Sequence, residues 1–332
     1  MIELTSMEIL MLALGALGLG MILLLKGGEW TIDSAVYVAR HFGIPPLIIG
    51  FTIVAAGTSA PELIVSIKAN LDGSAGIAIG NVIGSNIANI LLIIGATAVV
   101  ATLTVKPREV LRDLIMMMLS TILMMGLMIN GNISHLGGGI MMAVLVGFIF
   151  WQYRMAKNEG VEPEDYNGRS FKSIYGALGV LLGGLLGIAL GAEFLVRGAK
   201  VTAAEIGVPE DVIGLSVIAL GTSLPELSTC VIAALRKQTE IVIGNIVGSN
   251  VFNILMIIGA TALIKPIEKS AIAPQVITLD IWVMFGTSAI FTLILLLFRK
   301  INMLIGIIFM IAYVLYIALI YGLYLAKDVV AL

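Results

Sequence analysis

Charge is what this sequence lacks most. Only 12% of its 332 residues are Asp, Glu, Lys or Arg, about half the share found in a water-soluble domain. The formal net charge is −2, and the basic residues are scattered in short clusters rather than gathered in a patch, which argues against nucleic acid as a partner. Cys230 is the only cysteine, so an internal disulfide is excluded, and His41 and His135 are the only imidazoles. A zinc or copper centre therefore lacks ligands. The amino-terminal run Met1-Ile2-Glu3-Leu4-Thr5 lacks the basic start and small-residue cleavage pattern of a secretory leader. The first apolar span is thus expected to remain in the mature protein.

What is present is apolar length. The chain is 59% hydrophobic with a mean hydropathy of +1.09. A helix needs about 20 mostly apolar residues to cross the hydrocarbon core, and the apolar runs here show no strand-like alternation. Ten spans are expected, at 7–26, 45–69, 75–102, 110–129, 134–155, 173–195, 209–235, 239–264, 277–298 and 301–325. The expected fold class is all-α integral membrane, with five helices on each side of the polar stretch Lys157 to Ser170. That stretch holds Glu159, Glu162, Glu164 and Asp165 but not the spacing of an EF-hand, and it reads as a solvated loop. The expected domains are 1–156 and 173–332, joined by a cytoplasmic linker at 157–172. Placing the amino terminus outside puts 13 of the 19 Lys and Arg residues in cytoplasmic loops and leaves 6 outside, the bias that cytoplasmic loops carry. Both termini are then extracellular, on a multi-pass protein of the cell membrane.

The two halves are copies. Residues 43–98 align without a gap on residues 207–262 at an offset of 164, with 29 identities in 56 positions. Because each copy has an odd number of spans, the second must enter the membrane from the opposite side, giving two inverted five-helix repeats with the substrate site between them.

Each copy carries two polar motifs within apolar spans. Gly57-Thr58-Ser59-Ala60-Pro61-Glu62 matches Gly221-Thr222-Ser223-Leu224-Pro225-Glu226. Proline inside a helix removes a hydrogen bond, so Pro61 and Pro225 are expected to free the carbonyls of Gly57 and Gly221. Thr58 and Glu62 should share one helix face, as should Thr222 and Glu226. A carboxylate at the bilayer centre costs about 2.5–3.5 kcal/mol on insertion scales. Two of them beside hydroxyl and carbonyl oxygens suit a hard cation, and calcium takes 6–8 such ligands. The second motif is Gly80-Asn81-Val82-Ile83-Gly84-Ser85-Asn86-Ile87-Ala88-Asn89, matched by Gly244-Asn245-Ile246-Val247-Gly248-Ser249-Asn250-Val251-Phe252-Asn253. Asn81, Ser85 and Asn89 form one polar stripe and Asn245, Ser249 and Asn253 another, serving either ion contact or interhelical hydrogen bonding.

These paired motifs resemble the alpha repeats of the cation/calcium exchanger superfamily, and the length and span count resemble its prokaryotic sodium/calcium exchangers. The resemblance implies an antiporter that exchanges sodium for calcium by alternating access, electrogenic at three sodium per calcium, and not an enzyme. Glu62 and Glu226, with the main-chain oxygens of Thr58 and Thr222, would form a central calcium site. Sodium sites would use the carbonyl of Ala55 with Ser85, and that of Ala219 with Ser249. Asn89 and Asn253 would line the middle, with Ser59 and Ser223 close to the ions. It implies no cofactor and no obligate protein partner, only the transported ions and the lipid bilayer. Asparagine at Asn253, where some members carry aspartate, argues against potassium co-transport. Proton coupling through the same glutamates is the alternative, and a calcium channel built on a glutamate ring is a third reading. The run Met116-Met117-Met118 and the lone Cys230 read as packing residues.

Overall fold

The computed structural model describes residues 6–130, 132–159, 171–205, 223–268, 270 and 272–330. Eleven helical segments follow in order: α1 (Ser6–Phe42), α2 (Pro46–Thr58), α3 (Ala60–Leu71), α4 (Ala75–Val100), α5 (Pro107–Asn130), α6 (His135–Glu159), α7 (Ile174–Glu205), α8 (Leu224–Leu235), α9 (Thr239–Ile264), α10 (Val276–Phe298) and α11 (Met303–Val330). Among the described residues, eight helices are long and apolar enough to cross a membrane, and the bent pair α2–α3 makes a ninth candidate. The protein is an all-α, multi-pass membrane protein. The expected span 209–235 lies partly outside the described residues, and α8 is its described portion.

Two helices run far past their expected ends. The span expected at 7–26 is a helix of 37 residues, about 55 Å at 1.5 Å per residue and so longer than the hydrocarbon core. The charges that made Lys26 look like an end are absorbed by an i,i+3 pair, since Lys26 Nζ lies 2.9 Å from the Glu29 carboxylate. In α7 the pair Glu193–Arg197 does the same one helical turn apart.

Helices α1 and α7 cross antiparallel at backbone contact. A methyl group on Gly20 would sit 2.8 Å from the Gly191 carbonyl oxygen, and one on Gly27 would sit 2.8 Å from that of Gly184. Gly198 meets the carbonyl of Ala13 in the same way. Steps of seven residues on both helices keep these small residues on one seam, as close helix approach in lipid requires.

The centre of the bundle is α4 and α9. The most apolar stretch of α9 is 94% buried, against 17% for α1 and α11, so α9 packs against protein all round while the outer helices present Leu12, Leu304 and Val314 outward. Both central helices widen into a π turn, at Asn89–Ile94 and Asn253–Ile258. Short backbone pairings tie the connections together: β1 (Leu103–Thr104) pairs antiparallel with β2 (Lys300–Ile301), and Ile133 bridges Ile267.

The proline of the first motif breaks its helix rather than loosening an interior turn. Helices α2 and α3 meet at 46° across Ser59, whose ψ of 4° is not helical. Pro61 thereby falls in the first turn of α3, where its missing N–H costs nothing. Pro225 occupies the matching place in α8, after Ser223. Thr58 and Glu62 therefore stand on two segments and not on one continuous helix face as their spacing predicts.

Candidate functional site

Each glutamate stands in the first turn of a helix, Glu62 in α3 and Glu226 in α8. Main-chain N–H groups there have no helical acceptors, so a negative charge is favoured. Ser59-x-x-Glu62 and Ser223-x-x-Glu226 have the spacing of a capping box, yet neither serine side chain caps its own helix. Ser59 Oγ instead donates to Glu226 Oε1 at 3.3 Å, across the two halves of the chain. The Thr58 hydroxyl also faces the Glu226 carboxylate, and lies 3.4 Å from Asn245 Oδ1.

Both glutamates are 2% exposed, and they are near enough to repel one another. Each leaves one oxygen, Oε2, without a hydrogen-bond partner, and so do two neighbours in the polar stripes, Ser249 Oγ and Asn253 Oδ1. Buried carboxylate oxygens without donors carry a large desolvation cost.

The other expected residues fall as follows. Ser85 and Ser249 are buried in α4 and α9, one turn before Asn89 and Asn253, which are also buried and open the two π turns. Ser223 is buried, and its carbonyl accepts from the N–H of Leu227. Ala55 is buried, and its carbonyl accepts from the Ser59 N–H at 3.0 Å and the Thr58 hydroxyl at 3.3 Å. Ala219 and Thr222 lie outside the described residues.

A second set of contacts was not assigned from sequence. Asn86 and Asn250, equivalent residues of the two motifs, join α4 to α9. Asn253 Nδ2 donates to Asn86 Oδ1 and Asn89 Nδ2 to Asn250 Oδ1, both at 3.0 Å. The Asn86 and Asn250 amides also face each other's main-chain carbonyls at 3.3 and 3.5 Å. Below the glutamates, Asn81 Nδ2 donates to Ser66 Oγ at 2.9 Å and to the Glu62 carbonyl at 3.3 Å. In the other half Asn245 Nδ2 meets Cys230 Sγ at 3.3 Å. The shared offset of 164 was the signal that could have paired these asparagines. Met117 is fully buried, with its sulfur 3.8 Å from Asn250 Nδ2, so it packs in the core.

The sequence profile of the sodium/calcium exchanger protein family matches residues 12–154 and 176–322, nearly the whole chain. This chain belongs to that family. As a prokaryotic-type member of the cation/calcium exchanger superfamily, the exchanger has relatives of similar length. The sodium/calcium exchanger MaX1 of Methanosarcina acetivorans is 30% identical over 295 residues, covering 75% of this chain and 82% of that one. An uncharacterised membrane protein of Methanocaldococcus jannaschii is 34% identical over 270 residues, covering 81% of this chain and 88% of that one. A solved structure of the sodium-calcium exchanger NCX_Mj, soaked with 10 mM Na+ and zero Ca2+, superimposes with a TM-score of 0.80 at 32% identity, covering 93% of this chain and 99% of that chain. The family transports sodium and calcium, so the exchanger is a transporter of cations.

Proposed function

We propose that this exchanger moves sodium one way and calcium the other through a single site between two inverted five-helix repeats, 1–156 and 173–332, with 157–172 as linker. The observation that carries the reading is the pair of buried, mutually repelling glutamates, each with an oxygen that nothing else satisfies. Glu62 and Glu226, with the carbonyls of Thr58 and Thr222, hold calcium. Ala55 with Ser85, and Ala219 with Ser249, hold sodium on either side. Asn89 and Asn253 line the middle, and Ser59 and Ser223 stand beside the ions.

Exchange rather than leak follows from charge. Without a bound cation, two carboxylates would cross a dehydrated, occluded state at several kcal/mol. One calcium or several sodium ions cancel that charge. At three sodium per calcium, one net charge moves per cycle, worth about 2.3 kcal/mol per 100 mV of membrane potential. The first and sixth spans, α1 and α7, sharing a backbone-contact seam, suit a body that slides against the rest.

Ten spans are supported by the loop pairings. The strand after α4 pairs with the strand after α10, so an even number of crossings separates them. Helices α5, α6, α7, α9 and α10 supply an odd number, and one further crossing in the expected span 209–235 would make it even. We place the exchanger in the cell membrane, and the Lys and Arg count supports an orientation with both termini outside.

The test is calcium uptake into liposomes preloaded with sodium, with pH clamped equally on both sides. Wild type takes up calcium, while Glu62→Gln and Glu226→Gln do not. Normal uptake by both variants would refute the site. Uptake driven by a proton gradient without sodium would replace the coupling ion, and uptake with neither gradient would indicate a channel.

A further inference from the structure

Away from the glutamates, α5 and α6 share a second buried polar pair. Asp113 is 3% exposed and Gln152 is 5% exposed. Asp113 lies about 9 Å along α5 from its first residue at 1.5 Å per residue, within the apolar stretch Pro107–Ile129 that is long enough to cross a membrane. Gln152 Nε2 donates to Asp113 Oδ1. The two remaining polar atoms, Asp113 Oδ2 and Gln152 Oε1, have no hydrogen-bond partner.

An ionised carboxylate offers acceptors alone, and so does the amide oxygen facing it. Two buried acceptors on one pair of side chains, with no donor between them, are costly on both sides. A carboxylic acid and a primary amide instead close a ring through two bonds, amide N–H to acid C=O and acid O–H to amide C=O. The first bond is present, and the two orphaned atoms are the pair that the second would join. One proton satisfies both.

We infer that Asp113 and Gln152 form a proton-binding site separate from the cation site, with the proton on Asp113 Oδ2 and shared with Gln152 Oε1. The charges around it are few. Helix α5 itself brings Arg108, Glu109 and Arg112, and the Arg112 guanidinium lies over the Trp151 ring, 5.9 Å from its centroid. From α6 comes Arg154, whose guanidinium lies over the Phe150 ring, 4.6 Å from its centroid, while His135 stands at the far end of that helix with its Nδ1 2.8 Å from the Leu263 carbonyl. Helix α9 brings Glu240, in its first turn, and α10 brings Asp280 at the end of its π turn and none from Ile281 to Phe298. In the second half a buried aspartate has a different partner, since the Tyr316 hydroxyl donates to Asp280 Oδ1 at 3.1 Å. A hydroxyl both donates and accepts, so that pair needs no added proton.

Losing the proton sets two acceptors against each other and parts α5 from α6, so alkaline pH slows exchange through a residue outside the cation site. Asp113→Asn supplies a permanent N–H to Gln152 Oε1. This variant is expected to exchange at the wild-type rate at neutral pH and to lose the alkaline fall. Infrared spectra of the calcium-loaded protein, wild type minus Asp113→Asn, should show a protonated-carboxyl C=O band that disappears on alkaline titration. Because the difference isolates position 113, it reads this site whether or not Glu62 and Glu226 hold calcium. Absence of the band at neutral pH, or an unchanged alkaline fall in Asp113→Asn, overturns the inference. If Asp113→Asn does not fold, Gln152→Leu keeps the acid but removes its partner. The band must then shift in frequency, and an unshifted band overturns the pairing.

Discussion

One added methyl group tests how α1 and α7 meet. A Cβ on Gly27 would lie 2.8 Å from both the Gly184 carbonyl oxygen and the Ile188 nitrogen, and 3.0 Å from Ile188 Cγ1. Two of these atoms are main chain, so no rotamer change can relieve the contact. Ordinary van der Waals contact begins near 3.4 Å; the two helices must separate by more than half an ångström, and overpacking of that kind costs about 1–3 kcal/mol. Alanine also gains up to about 1 kcal/mol of helix propensity over glycine, which would mask part of the effect. Gly18→Ala provides the correction, because it lies in the same helix with nothing within 4 Å of its Cβ. Propensity cancels between the two variants, and their difference in unfolding free energy isolates the packing cost. Denaturant titration in mixed micelles should place Gly27→Ala about 1–3 kcal/mol below Gly18→Ala. Gly184→Ala, whose Cβ would meet the Gly27 oxygen at 2.8 Å, should be non-additive with it, since one separation relieves both contacts. Equal stability of Gly27→Ala and Gly18→Ala would refute backbone contact between the helices.

The other expectations concern the central asparagines and the cysteine. Asn86→Leu leaves the Asn253 amide without its acceptor and removes a side-chain donor from the Asn250 carbonyl, which keeps the Asn253 main-chain N–H; at about 1–3 kcal/mol for the orphaned amide, folded yield in detergent should fall, and a wild-type melting curve would contradict the network. Cys230→Ser places in the second half the residue that Ser66 already is in the first, facing Asn245 as Ser66 faces Asn81. Stability measured by thermal unfolding should change by less than about 1 kcal/mol, and sodium-driven calcium uptake should persist.

Much of this architecture was legible because lipid makes secondary structure a local matter. With no water to satisfy backbone groups, an apolar run must close its own hydrogen bonds and becomes a helix; thus the runs at 239–264 and 277–298 correspond to α9 and α10. Helix ends were less legible. At Lys26 and Glu193 the charges that signal an end are satisfied by a neighbour one turn away, so α1 and α7 continue beyond the hydrocarbon thickness. The motif prolines announced an irregularity, but a bend of 46° depends on what the two segments pack against. The π turns at Asn89 and Asn253 carried no composition signal apart from their symmetric recurrence.

The amino-acid order alone determined the duplication, the apolar spans and the identity of the polar residues placed among them, because each depends on near neighbours or on a fixed offset along the chain. Tertiary structure alone decided that Ser59 turns from its own helix to Glu226, that Asn86 meets Asn253 rather than its equivalent Asn250 side chain, and that Asp113 faces Gln152. Those choices arise where helices distant in sequence come within hydrogen-bond reach, and a short-range bond between side chains is set by packing in three dimensions, which no spacing along the chain encodes.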